Sequence, residues 1–226
     1  MSRLRFFGHA AVALIADGGE SLLVDPYASG GLDGKIGYEP IPLQPDYVVC
    51  SHQHDDHSAV GELGGEPRLV DQGSAGPFHI RRFPYSHDEY DGARFGGRVD
   101  ALRVDFDGLS VVHASDLGQS PHGPTPDALR GCEFALLPVG GLYTAGGAQA
   151  WEWSRRLGAE ICVPIHAASP SCRLPLHSVS NFSSYFQSVH QPGGSVIEAD
   201  SSLRSFAGGV VVLRAECESR PHVRMP

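Results

Sequence analysis

Tyr47-Val-Val-Cys50-Ser-His52-Gln-His54-Asp-Asp56-His57 runs from a compact β-branched and aromatic stretch straight into three imidazoles and two carboxylates. Tyr47 to Cys50 reads as a buried strand. Ser58 to Leu63, broken by Gly64-Gly65, reads as a short helix. A turn between two such elements can aim alternate side chains at one point, as metal ligation requires. Three histidines so close together make a poor core segment, because each buried ring needs partners for two nitrogens. Imidazole and carboxylate together suit Zn²⁺, Fe or Mn²⁺ rather than Ca²⁺.

Upstream of this stretch, Leu4 to Phe7, Val12 to Ala16 and Ser21 to Val24 are expected strands. Ala16-Asp-Gly-Gly-Glu20 supplies the hairpin turn between the last two. Residues 28–45 form a Gly/Pro-rich loop able to cover a site. Downstream, Leu69-Val70, Phe78 to Phe83, Phe95 to Phe106 and Ser110 to His113 follow as strands, the last two joined at Asp107-Gly108. Thr125-Pro126-Asp127 predicts a helix start, with Thr as cap and Pro in the first turn. Phe134 to Leu137 and Ile161 to Ile165 are buried-type strands, and Val210 to Leu213 closes the chain. Gly146 to Leu157 predicts the strongest helix, with Ala150, Trp153 and Leu157 on one stripe. Val179 to Val189 is a further helical segment. Strands crowd the first half and alternate with helices in the second, which predicts a layered α/β domain with antiparallel or mixed sheet. No linker divides the chain, so residues 1–226 are expected to form a single domain.

Further metal-capable residues recur at the ends of apolar runs. His87 follows Phe78 to Phe83, Asp116 follows Ser110 to His113, and His166 closes Ile161 to Ile165. That edge is the usual place for sites in α/β architectures.

Composition narrows the class. Twelve histidines stand among 226 residues with a formal charge of −9, 28 glycines and 17 prolines. A hydrophobic fraction of 41% suffices for a core. No apolar run is long enough to span a membrane, and the N-terminus lacks a cleavable apolar region, so a cytoplasmic location is expected. Five widely spaced cysteines fit free thiols in a reducing compartment. The negative charge disfavours a nucleic-acid partner. It does not exclude an anionic small-molecule substrate, since bound divalent metal reverses the local field. Lys35 is the only lysine, so Arg94, Arg98 and Arg173 are the expected basic contacts for such a substrate. The glycine pairs Gly140-Gly141 and Gly146-Gly147 make turns or let backbone N–H groups approach an anion. A homo-oligomer is an ordinary expectation for such a chain.

The His-x-His-x-Asp-His run, with His87, Asp116, His166 and the upstream Leu-Val-Asp25-Pro, resembles the metallo-β-lactamase fold superfamily. Within it the chain is similar to the branch of zinc-dependent hydrolases near the ascorbate-6-phosphate lactonase group. Gly8-His9, Pro84-Tyr-Ser-His-Asp, His113-Ala-Ser-Asp-Leu-Gly, Leu137-Pro-Val-Gly-Gly and Val163-Pro-Ile-His carry that similarity. The resemblance implies a four-layer αββα fold, two mixed sheets sandwiched between helices, with two divalent metals, zinc foremost and Fe or Mn as alternatives. It implies that His52, His54 and His87 hold one metal, that Asp56, His57 and His166 hold the second, and that Asp116 bridges them. It places Asp25 behind a ligating histidine, and leaves Asp55 a solvated turn residue. Pro164-Ile-His-Ala167 departs from the branch's Met-His-Tyr, a change in the substrate wall and not in a ligand.

A dinuclear centre of this kind implies hydrolysis by a metal-activated bridging water of a small ester, lactone, amide or phosphoester. Asp56 would orient the water as well as bind metal. His113 and Tyr143, in loops beside the motifs, are candidates for proton transfer to the leaving group. A phosphodiesterase or nuclease of the same superfamily and a non-catalytic metal-binding protein are the alternative readings. His79, His122, His177, His190 and His222 have no expected role beyond packing or surface.

Overall fold

The computed structural model describes residues 1–95, 97–123, 125–199 and 205–219; His222 lies outside them. Two mixed sheets face each other. The first has six strands: β1 (Arg3–Gly8), β2 (Ala11–Ile15), β3 (Ser21–Val24), β4 (Tyr47–Val49), β5 (Arg68–Leu69) and β13 (Val196–Glu198). They lie in the order β13-β1-β2-β3-β4-β5. The second has eight: β6 (Gly73–Ala75), β7 (Phe78–Ser86), β8 (Arg98–Phe106), β9 (Leu109–His113), β10 (Phe134–Pro138), β11 (Ile161–Ile165), β12 (Val189–His190) and β14 (Gly209–Val211). Their order is β12-β14-β11-β10-β9-β8-β7-β6. β6 to β9 are antiparallel neighbours, whereas β9, β10, β11, β14 and β12 run parallel.

Leu4, Val12, Leu14, Leu22 and Val24 of the first sheet meet Phe78, Ile80, Leu102, Val104, Phe134 and Leu136 of the second in the central core. Burial of each such side chain contributes roughly 1.5–3 kcal/mol before entropy is set against it. β10 and β11 are buried along their whole length, which explains why they read as unbroken apolar runs. The outer face of the second sheet is covered by the helix Gly147–Leu157. Ala150, Trp153 and Leu157 of that helix pack on Val112, Ala135, Leu137 and Cys162, together with Phe182 from the turn Ser180–Ser183. Gly158, at φ 61, ends the helix by the left-handed route that glycine permits. The outer face of the first sheet is covered by the segment around Tyr27, Ile36 and Tyr38, which includes the helical turn Gly31–Gly34, and by Leu176. The arrangement is two mixed sheets flanked by helices, as the resemblance implies.

Several expected elements are shorter than their sequence suggests. Ser58 to Leu63 yields only a 3₁₀ turn, Val60–Glu62, as glycines at 61, 64 and 65 leave too little length for a helical nucleus. The Thr125-Pro126 start gives another 3₁₀ turn, Asp127–Leu129. Its capping position is Pro126, and Thr125 Oγ1 accepts from Arg156 Nε at 3.3 Å instead of capping. Val179 to Val189 contains one helical turn, Ser180–Ser183, before β12. β8 begins at Arg98, because the preceding residues are drawn into a loop around Asp88.

Candidate metal centre

Each residue of the centre stands at or just beyond the end of a strand. His9 follows β1, Asp25 follows β3, and His52 to His57 follow β4. His87 follows β7, Asp116 follows β9 and His166 follows β11. Four of these corners turn through left-handed backbone at residues other than glycine: His9 (φ 53), Asp25 (φ 50), Ser115 (φ 49) and His166 (φ 48). This conformation costs about 1–2 kcal/mol per residue and persists only where surrounding structure enforces it. Two glycines brace the ligand backbones. A Cβ on Gly118 would lie 2.2 Å from the His87 carbonyl oxygen, and one on Gly140 would lie 2.3 Å from that of His166.

Asp25 organises the floor. Its Oδ1 accepts from Ser51 N at 2.7 Å, and its Oδ2 accepts from Ser51 Oγ at 2.8 Å and Ser115 Oγ at 2.6 Å. The same Oδ2 lies 3.1 Å from His57 Nδ1. With Nδ1–H donated there, Nε2 of His57 turns its lone pair into the site. His87 is set in the same way, donating Nδ1–H to the Tyr143 carbonyl at 3.0 Å. Burial alone would raise the Asp25 carboxyl, but the hydrogen bond and charge of His57 hold it well below the ordinary carboxylate range. Burial would lower His57, yet the negative charge of Asp116 and the close approach of Asp116 and Asp25 raise it well above the usual imidazole value.

The convergent donors fall into two groups, His52, His54, His87 and Asp116 in one and His9, Asp56, His57 and His166 in the other. Within each group the candidate ligand atoms lie within 4.8 Å of one another. Asp116 faces both. Its Oδ2 is 3.2 Å from His87 Nε2 and 3.9 Å from His52 Nε2, while its Oδ1 is 3.1 Å from His57 Nε2 and 3.5 Å from His166 Nε2. His57 Nε2, His87 Nε2 and Asp116 Oδ1 are nevertheless buried without a hydrogen-bond partner. Buried polar atoms in native proteins find partners, so three that converge unpaired fit a cation. His52 Nε2 and His54 Nδ1 are 2.9 Å apart, close to the roughly 3.3 Å between two nitrogens on a tetrahedral metal. In the metal-free chain, burial and then the charge of His57 lower His52 to about 4. Burial is likewise the chief cause that brings His166 to about 3. Both rings are thus neutral near pH 7, the form that ligates.

A cavity of about 490 Å³ opens onto both groups. Its wall includes Gln53, His54, Asp56, His87, Asp116 and His166 from the centre, and Tyr143, Phe95, Leu32 and Leu174 around it. All seven ligand candidates read from the sequence therefore meet in one place. Asp55 is exposed on the cavity rim, the position of a solvated turn residue. Tyr143 lines the cavity, with its ring edge-on to Phe95 at 5.1 Å. His113 stands elsewhere. It is buried, donates Nε2–H to the Ala10 carbonyl at 2.8 Å and accepts at Nδ1 from Ser115 N at 3.2 Å. Both of its nitrogens are occupied, and it does not line the cavity.

His9 is the residue the sequence left without a role. Its Nε2 lies 3.0 Å from Asp56 Oδ2, and its ring packs against that of His166 in a tilted arrangement with centroids 4.1 Å apart. The signal was the pair Gly8-His9 at a strand end; only the pairing of β1 beside the site shows what it reaches. Ser51 and Ser115, both bonded to Asp25, also carried no distinguishing pattern.

Two imidazole–carboxylate groups, joined through one aspartate at the strand ends of a β-sandwich, define a dinuclear metal-dependent hydrolase. The β-lactamase superfamily domain model matches residues 3–166. The chain belongs to the metallo-β-lactamase superfamily. It is 30% identical over 189 residues to a metal-dependent hydrolase of Methanoculleus marisnigri, covering 73% of this chain and 80% of the relative. A Natranaerobius thermophilus protein of the same name is 27% identical, covering 73% and 82%. The crystal structure of a Thermotoga maritima protein, named for zinc-dependent hydrolysis in this superfamily, superposes with TM-score 0.72 at 27% identity. It covers 94% of this chain and 98% of that one. A diiron β-hydroxylase of Streptomyces venezuelae, 14% identical with TM-score 0.59, shares the fold; this chain covers 53% of it.

Proposed function

We propose that the chain is a zinc hydrolase of small esters, lactones, amides or phosphoesters, and that Asp116 joins its two metal sites. The observation that carries this reading is the division of the Asp116 carboxylate, one oxygen toward His87 and His52 and the other toward His57 and His166. His52, His54 and His87 would hold one cation, and Asp56, His57 and His166 the other. Two divalent cations there supply a water acidified toward neutrality and a Lewis acid for the carbonyl or phosphoryl oxygen.

The remaining work falls to the chain's own side chains. Asp25 fixes the tautomer of His57 from behind, and the Tyr143 carbonyl does the same for His87. Asp56, held by His9, would help hold metal and orient the attacking water. Tyr143, on the cavity wall, would supply the proton to a leaving group. Mixed imidazole and carboxylate ligands support zinc, and the Thermotoga relative is named for it. The likeness to the ascorbate-6-phosphate lactonase group keeps lactones in the proposed range. Five unpaired thiols, all buried, support a cytoplasmic setting.

Elemental analysis of the purified protein, coupled to a panel of esters, lactones and phosphodiesters, tests the reading. Two zinc ions per chain and turnover of a panel member are expected. Asp116→Ala should lower metal content at both sites and reduce turnover at least about a hundredfold. Full activity with both metals retained in that variant would sink the bridging role. Metal without turnover across the panel would leave a metal-binding protein.

A further inference from the structure

The sequence contains a single lysine, Lys35, and the fold sets it in the wall of the cavity that holds both metal groups. Backbone bonds on either side fix its place. Gly30 N donates to the Ile36 carbonyl at 2.8 Å and Ile36 N returns to that of Gly31 at 3.1 Å, so the turn closes on itself. Beyond it, Ile36 is fully buried and Gly37 N donates to the Ser171 carbonyl at 2.7 Å. Before it, Ala28 N donates to the Asp55 carbonyl at 3.3 Å, which ties the turn to the ligand loop. Leu32 (φ 50) and Asp33 (φ 55) are both left-handed although neither is glycine, a conformation retained only where its surroundings enforce it. Among the described residues, Lys35 has no carboxylate within ion-pair distance.

The arginines expected to serve an anion do not line this cavity. Arg94 lies over the rings of Tyr90 and Phe95 on an adjoining depression. Arg98 borders a neighbouring hollow that shares Gln53 and His54 with the cavity, and Arg173, whose N–H donates to the Lys35 carbonyl at 2.8 Å, is exposed and does not line the cavity. Lys35 is therefore the single Lys or Arg among the described residues of the cavity wall. Asp33, Asp55, Asp56 and Asp116 bring four negative charges to that wall, and two divalent cations would cancel them. Before any bound hydroxide is counted, the balance of one positive charge is that of Lys35.

We propose that Lys35 receives a carboxylate carried by the substrate on the side away from the scissile bond. The substrate class is then a small ester, lactone or amide with a free carboxylate, its apolar body against Phe95, Tyr143 and Leu174. A phosphate in this position would call for several donors or a guanidinium fork; the wall offers one ammonium, which matches a carboxylate. This inference rests on the hydrolase reading above.

The test uses zinc-loaded, full-length protein. Binding of glutarate and of uncharged glutaramide is measured by calorimetry for wild type, Lys35→Gln and Lys35→Arg. Glutarate should bind wild type, weaken about five- to tenfold in Lys35→Gln and recover to within about twofold in Lys35→Arg. No glutarate binding by wild type, undiminished binding by Lys35→Gln, or an equal loss for glutaramide would each overturn the proposal. In parallel, kcat/KM is compared for the 4-nitrophenyl esters of butyrate and of hemiglutarate. The charged-to-neutral ratio should fall by a similar factor in Lys35→Gln, and an unmoved ratio counts against Lys35. If wild type hydrolyses neither ester, the hydrolase reading fails, while glutarate binding still decides the role of Lys35.

Discussion

His9 holds Asp56 by one nitrogen and packs its ring against His166, so it touches two of the three residues proposed for the second cation. Its loss should act on that cation alone. His9→Ala is expected to lower the affinity of one zinc about 10- to 100-fold and leave the other in place, read by zinc titration against a competing chelator. Equal weakening of both sites, or of neither, would show that the His9–Asp56 contact does not serve the second site. The same residue shows what a single sequence reveals at this scale. The ligand candidates were visible because they are chemically conspicuous and stand at the ends of apolar runs. His9 was conspicuous too, but nothing local says that β1 ends against Asp56. Lys35 stood out as the single lysine but was passed over for the arginines, because its importance comes from being the one Lys or Arg in a wall assembled from segments far apart in the chain.

At the level of elements, the loop after β7 supports the substrate side of the cavity. Asp88 accepts four backbone N–H groups, from Tyr90 and Gly92 at Oδ1 and from Arg94 and Phe95 at Oδ2, at 2.7–2.9 Å. That carboxylate winds the loop and delivers Phe95 to Tyr143. Asp88→Ala should therefore raise KM severalfold with a smaller change in kcat, and lower the melting temperature by about 3–6 °C. Metal content should not change; loss of metal in step with KM would mean that the loop positions His87 instead of the wall. The carboxylate also explains why Phe95 to Phe106 misread as one strand, since an apolar start does not reveal a side chain collecting the backbone donors. Long buried strands and the helix Gly147–Leu157 were legible from periodicity. The short turns at Val60–Glu62 and Ser180–Ser183 were not, because tertiary packing decides whether so few residues extend into a helix.

Across the whole molecule, acid should act on the site before it acts on the core. In the metal-free protein, His52 and His166 sit at about 4 and about 3, below the ordinary imidazole value near 6.5. Between about pH 6.5 and 4 the unfolded chain takes up protons at these positions and the folded chain does not. Their contribution is full above 6.5 and is lost as pH falls through that window. His57, His87 and His9, all raised, contribute fully below 6.5 and do not oppose the loss there. Asp25 and Asp116, both depressed, keep their contribution until the acid limb below about 4. Thermal melts of the metal-free protein should thus fall from pH 7 to pH 4.5, by about 5–10 °C; a flat profile would mean that the rings are not buried as neutral groups. The sandwich itself was readable from the order of strands and helices. The pairing of β13 with β1, and of β12 with β14, was not, since contacts between distant, short strands leave no local period.

The left-handed corners at His9, Asp25, Ser115 and His166 also govern how such a protein can diversify. The strands leading into these corners can exchange one apolar residue for another without moving a metal ligand, provided that their length is kept. An insertion in a strand would leave the hydrophobic face intact and swing the corner residue away. The two segments that carry Lys35 and Phe95 lie outside the corners, one tied to the backbone of Asp55 and Ser171 and the other wound on the Asp88 carboxylate. A lineage can therefore replace those segments, and with them the molecules it accepts, while inheriting the reaction unchanged.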